Sequence, residues 1–143
     1  MESVKIEIPS DPKYLKIVRC GIGHLCKVSG FPKETRHEIT LAVDEAVSNI
    51  IKHAYERKYN KPIIVNCKLL DDRIEIVLRD FGLKANLKKI KSRDLKEVKP
   101  GGLGVHIIQS IMDVVIYDNT IENGNQLILA KYLPGKEKNN AKN

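Results

Sequence analysis

Glu45 and Asn49 stand four residues apart, Asp80 and Gly82 two apart, and Gly101-Gly102-Leu103-Gly104 forms a glycine-rich run. Each set suits a different task. A carboxylate can take the proton of a hydroxyl or a water. An asparagine carboxamide is a neutral oxygen ligand suited to Mg²⁺, an ion that keeps most of its waters and bridges phosphates. Asp80 ends the alternating run Ile74, Ile76, Leu78, and an acid emerging from a buried strand can accept the exocyclic amine of adenine. Gly82 would let a flat base approach the backbone. The glycines of 101–104 let backbone amides converge on an anion, and a helix from Val105 would add its positive end. No Gly-Lys-Ser/Thr follows, so the run is not a P-loop. Taken singly, the three sets also fit a solvated helix flank, an Asp-Gly turn and a helix start. In this order on one short chain they read as a nucleotide site.

These residues need elements to hold them. From about Lys33 to Tyr55 the apolar residues Ile39, Val43, Ala46, Val47, Ile50 and Ala54 recur at helical spacing. At about 100° per residue, Glu45, Asn49 and His53 form a row along the margin of that apolar stripe, where a helix borders a cleft. Ile63 to Leu70 and Arg73 to Arg79 are rich in Val and Ile around Asp71-Asp72, the pattern of an antiparallel hairpin. Val4 to Ile8 alternates as a first strand, and Asp11-Pro12 opens a helix that Gly21 and Gly23 weaken and Ser29 to Pro32 breaks. Val105 to Met112 reads as a helix, and Val114 to Tyr117 and Gln126 to Leu133 as strands joined through Asn123-Gly124-Asn125. This order implies an α/β two-layer sandwich, a mixed, mostly antiparallel sheet with helices on one face. Residues 1–133 form a single domain, and 134–143 read as a disordered tail.

Composition narrows the class. The chain has 143 residues, 42% hydrophobic and 30% charged, as ordinary globular domains do. No apolar run approaches the roughly 20 residues of a membrane span. Three cysteines without a CxxC pair argue against a disulfide framework or a zinc site and for a reduced, cytoplasmic protein. The net charge of +7 gathers between Lys84 and Lys99 and in the tail, without aromatic residues to stack bases. Attraction to an acidic protein or a polyphosphate fits that distribution better than nucleic acid does.

Glu45-x-x-x-Asn49, Asp80-x-Gly82 and Gly102-x-Gly104 together resemble the N, G1 and G2 boxes of the GHKL (Bergerat) ATPases. Within these the chain is most similar to bacterial anti-sigma factor/serine-protein kinases of the RsbW type. The supporting stretches are Pro12 to Leu15 with Arg19, Val43 to Tyr55, Pro100 to Asp113, and Lys131 to Leu133. The resemblance implies ATP and Mg²⁺ as cofactors, Glu45 as general base and Asn49 as the magnesium ligand. It implies Asp80 as the adenine-reading acid with Gly82 beside the base, Gly101 to Gly104 (Leu103 included) around the phosphates, and residues 83–100 as a lid. Arg19 matches a partner contact. The implied activity is transfer of the γ-phosphoryl of ATP to a serine of an anti-anti-sigma (STAS-domain) partner, alternating with sequestration of a sigma factor, by a homodimer. The alternative is a non-catalytic module that uses ATP only to shape a surface for a sigma factor or other partner. The chain departs from the family at Ala85 and Asn86, where an aromatic and an acid are usual, and at Pro100, where some members have arginine and Lys99 is here the nearest cation. Gln126 falls where a threonine usually bonds around the adenine. These departures bear on transfer rate and lid closure more than on ATP binding.

Overall fold

Among the described residues, alternation of β-branched with polar residues builds five strands: β1 (Glu2–Pro9), β2 (Pro62–Leu69), β3 (Arg73–Asp80), β4 (Val114–Tyr117) and β5 (Asn125–Tyr132). The computed structural model describes residues 1–85 and 102–136. The sequence expectations for Asn86, Lys99, Pro100 and Gly101, for the rest of the proposed lid beyond Ala85, and for 137–143 lie outside these.

The strands pair in the order β1-β2-β3-β5-β4, and all four pairings are antiparallel. Their period of two sends one set of side chains to a single face. Ile8, Ile63, Val65, Cys67, Ile74, Ile76, Leu78, Leu127 and Leu129 are buried there. Among the described residues, three helices cover that face: α1 (Leu15–Ser29), α2 (Lys33–Asn49) and α3 (Gly102–Ile111). Val18, Ile22, Ile39, Val43, Val47 and Ile108 complete the core between the layers. The opposite face carries Lys5, Glu7, Asn66, Glu75 and Arg79, so the two-layer expectation holds.

The N-terminal helix begins as expected. Asp11 accepts a hydrogen bond from Lys13 N at 3.1 Å, and Pro12–Tyr14 make a 3₁₀ turn that runs into α1. Gly21 does not interrupt α1, because a Cβ there would lie 2.7 Å from the Ile6 side chain, so the small residue lets the helix settle on β1.

The long helix differs from its expected form. It is α-helical only from Lys33 to Asn49, and Ile50–Ala54 is one turn of π-helix. Tyr55 N donates to Ile50 O, five residues back, at 2.9 Å. Tertiary bonds explain the wider turn. Ala54 O accepts from Leu83 N at 2.8 Å. The Tyr55 hydroxyl donates to Pro62 O at 2.6 Å and accepts from Phe81 N at 2.8 Å. These bonds anchor the helix end to the exit of β3, and the regular ladder gives way locally.

Candidate nucleotide site

Asp80 is the last residue of β3 and is 1% exposed. Its Oδ1 accepts from Gly82 N at 2.9 Å and from Asn125 Nδ2 at 3.0 Å. Burial pushes its pKa above the ordinary carboxylate range, while those two hydrogen bonds and the Arg79 charge pull the other way. An acid so placed is desolvated, oriented, and strongly responsive to a further donor.

Gly82 is required for a reason the sequence did not show. A Cβ on it would fall 2.2 Å from Ala54 O and 2.5 Å from Ala54 C. The missing side chain makes room for the π-helical turn, so the glycine is already explained before any base is considered. Gly124 does the same from the other side. It has a φ of 72°, and its Cβ would fall 2.1 Å from Asp80 O and 2.5 Å from Phe81 Cα. Arg79 donates to Asp80 O, donates to Asn125 O at 3.1 Å, and stacks its guanidinium over Phe81 at 4.4 Å.

The structure places Gln126 away from Asp80. Gln126 pairs with Arg79 and Asn125 with Asp80 across β3 and β5. Strand alternation therefore sends the Gln126 side chain to the sheet face opposite Asp80. There Gln126 Nε2 donates to Asp118 Oδ2 at 3.1 Å. The residue that reaches the acid is Asn125. Its Nδ2 also donates to Leu83 O at 2.7 Å, and its Oδ1 accepts from Ala85 N at 2.7 Å. The only sequence signal for it was its place at the start of a strand opposite Asp80, legible once the register is fixed.

The second half of the site forms where α3 meets α2. Gly104 is buried. A Cβ on it would lie 2.7 Å from Glu45 Oε2 and 3.7 Å from both Asn49 Nδ2 and Asn49 Oδ1. Gly104 of the glycine-rich run, 55 positions beyond Asn49 in the chain, is thus in contact with the polar row of α2. Glu45 and Asn49 are half-buried, so both have a dry side and a wet one. The helix starts at Gly102, three residues before the expected Val105. His53 lies on the π-helical turn and is exposed. One element unites the two halves: α2 carries Glu45 and Asn49, and its π-helical extension abuts Gly82.

Arg19 lies on α1, away from both halves, where its guanidinium bonds Asp44 Oδ1 at 3.1 Å. The pair ties α1 to α2 one residue before Glu45 and leaves Arg19 exposed.

An antiparallel sheet backed by helices, with a buried strand-end acid and a glycine set against a Glu/Asn row, defines the class of two-layer α/β ATP-binding domains. Comparison with known proteins takes this further. The profile described as histidine kinase-like ATPase domain matches residues 8–131, and the chain belongs to that family. It is similar to the serine-protein kinase RsbW of Oceanobacillus iheyensis, 27% identical over 142 residues, covering 94% of this chain and 89% of the relative. The serine-protein kinase RsbW of Staphylococcus aureus is 29% identical, with 96% of this chain and 91% of the relative covered. That of Bacillus subtilis is 26% identical, with 93% and 87% covered. Among solved structures, the RsbU and RsbW domains of Rv1364c from Mycobacterium tuberculosis superpose with a TM-score of 0.67 at 15% identity. The match covers 92% of this chain and 32% of that one, and it bears on the fold alone.

Proposed function

We propose that the chain is a Mg²⁺-ATP-dependent serine-protein kinase that acts on an anti-anti-sigma (STAS-domain) partner and also sequesters a sigma factor. The observation that carries this is the contact of Gly104 with Glu45 and Asn49. It brings an anion-binding turn, a general base and a neutral oxygen ligand to one place. The similarity to serine-protein kinases along nearly the whole chain supports the same reading.

In this mechanism Asp80 accepts the exocyclic amine of adenine, and Gly82 and Asn125 hold its carboxylate for that task. The backbone at the start of α3 receives the phosphates, helped by the positive end of the helix dipole. Glu45 accepts the proton of the attacking serine hydroxyl. The donor set fits a magnesium ion: Asn49 would hold it through its carboxamide oxygen, with the half-buried Glu45 alongside. Bound there, magnesium would neutralise charge on the phosphates. The protein's share of the catalysis is positioning and electrostatics. Arg19, exposed on α1, is a contact for a partner protein.

Calorimetric titration with ATP, with and without Mg²⁺, tests the reading on the native chain and on Asn49→Ala. Magnesium-dependent binding that weakens in the variant is the expected result. Absence of binding at millimolar ATP would overturn it. ATP binding without transfer to any serine would leave a regulatory module.

A further inference from the structure

The turn that leaves α2 runs into a short loop where cations outnumber acids. From Lys52 to Lys61 the chain carries Lys52, Arg57, Lys58 and Lys61 against the single acid Glu56. All four cations are exposed. Among the described residues, none of the four takes part in an ion pair. Tyr59 stands among them, 45% exposed.

The backbone that presents these side chains is held firmly. Ser10 is buried and fixes the loop at two points. Its hydroxyl donates to Lys58 O and accepts from Lys61 N at 3.0 Å, and its own N–H donates to Lys61 O at 2.7 Å. Arg57 N donates to Ile51 O at 2.8 Å, and Lys58 N donates to Tyr55 O at 2.9 Å. Glu56 and Arg57 have φ of 50° and 62°, and among the described residues they are the two non-glycine positions with positive φ. Glycine or asparagine would take up that backbone with less strain. The chain instead keeps a long cation at 57, and strain of this kind collects where a side chain has a task.

We propose that residues 56–61 form a docking loop for an acidic segment of a partner protein. Arg57, Lys58 and Lys61 pair with carboxylates of that segment, and Tyr59 supplies an aromatic contact among them. Charge complementarity selects this occupant: the cations break no internal ion pair when an acidic chain covers them. A nucleic acid fits less well. One tyrosine is a poor stacking platform, and Glu56 and Asp11 stand beside the cations. Six residues also reach at most about 20 Å, a patch rather than a groove that follows a strand. The proposal builds on the reading that the chain acts on another protein. It ties the docked segment to the element that carries Glu45 and Asn49, because the loop continues directly from the end of α2 and its π-helical turn.

Fluorescence anisotropy of a labelled decaglutamate peptide, at low and at physiological salt, tests the loop in the full chain. The variant Arg57→Asn/Lys58→Gln/Lys61→Gln removes three charges and places asparagine where the backbone is left-handed. Lys5→Gln/Lys27→Gln/Lys33→Gln removes three exposed charges elsewhere. The loop variant is expected to weaken peptide binding about tenfold, the sum of three surface pairs, and the control less than about threefold, through net charge alone. Tyr59→Ser should weaken it too, without a change in salt dependence. Equal losses in the two triple variants would overturn the proposal, as would a native chain that does not bind the peptide. A loop variant that loses binding to a thymidine decamer, with peptide binding unchanged, would assign the loop to nucleic acid and overturn it as well. Should the triple variant not fold, Lys58→Gln/Lys61→Gln read against Lys27→Gln/Lys33→Gln decides by the same comparison. Failure of the native chain to bind ATP in calorimetry would overturn the kinase reading and leave the peptide result standing.

Discussion

The two ends of the candidate site are built on opposite plans. At the β3 exit, Asp80 is sealed from water and tied by Gly82 and Asn125, and the backbones of Ala54, Asp80 and Phe81 crowd two glycines. Where α2 meets α3, Glu45 and Asn49 are half-buried, and the groups that Gly104 adjoins are flexible side chains rather than backbone. The end proposed for the base is fixed by its own hydrogen bonds and packing. The end proposed for the phosphates leaves its side chains partly exposed. A site that must recognise one constant ring and then handle a reacting group benefits from that division.

Function should separate first. Glu45→Gln is expected to lower phosphoryl transfer about a thousandfold, within the range for a lost general base, while ATP affinity stays near native. Calorimetry beside a transfer assay with radiolabelled ATP reads both. A parallel loss of ATP affinity would mean that Glu45 belongs to binding and that the two ends are not distinct.

Stability separates next. Gly124→Ala places a Cβ 2.1 Å from backbone and asks alanine to adopt a φ of 72°. We expect a loss of about 3 kcal/mol, near 10 °C in melting temperature for about this size of domain. Gly104→Ala meets the Glu45 carboxylate 2.7 Å away and touches Asn49 only at ordinary contact distance, and it gains helix propensity of about 1 kcal/mol. Its melting temperature should stay within a few degrees of native, about 1 kcal/mol, while transfer falls because Glu45 is displaced. Equal losses from the two substitutions would erase the contrast.

The base end also has its own pH behaviour. Folding raises the pKa of Asp80 above its unfolded value. Its contribution to stability is therefore fully present below the unfolded pKa and is lost as pH rises through the folded one. Asp80→Asn removes that dependence. Denaturation of the two proteins should show the native chain losing stability relative to the variant as pH climbs from the ordinary carboxylate range to the raised value. ATP affinity should fall about 10- to 100-fold in the variant, from loss of a charge-assisted bond. A constant difference across that window would show that burial does not control this acid.

The smallest effect belongs to neither end. Arg19 and Asp44 form a partly exposed pair, and surface pairs contribute less than about 1 kcal/mol. Arg19→Ala should melt within a few degrees of native, with any larger consequence appearing only in capture of a partner protein.

Much of this was visible in the chain before folding. The period-two runs gave β2, β3 and β5 within a residue or two, and the helical spacing of Ile39 to Ala54 placed Glu45 and Asn49 on one margin. Three features were not visible. The π-helical turn arises from bonds between residues nearly thirty apart, Ala54 to Leu83 and Tyr55 to Phe81, which no local pattern records. Gly82 and Gly124 look like turn glycines, and only the close approach of other backbones explains them. Gln126 stood in for Asn125 because a strand assigned without its register leaves the face of each residue open, and one position reverses it.

The π-helical turn makes α2 a ruler counted in residues. It starts at the layer that holds the phosphate-side groups and must end with the Ala54 carbonyl under Leu83. A wide turn spends one more residue than an α turn to cover that span. Deleting one residue between Asn49 and Ala54 would let the turn relax to an ordinary α turn over the same span, whereas adding one would shift the chain from Tyr55 onward by about 1.5 Å and 100°. Chain length between the two halves is therefore a dimension of the site that tolerates insertion less than many of the side chains along it tolerate exchange.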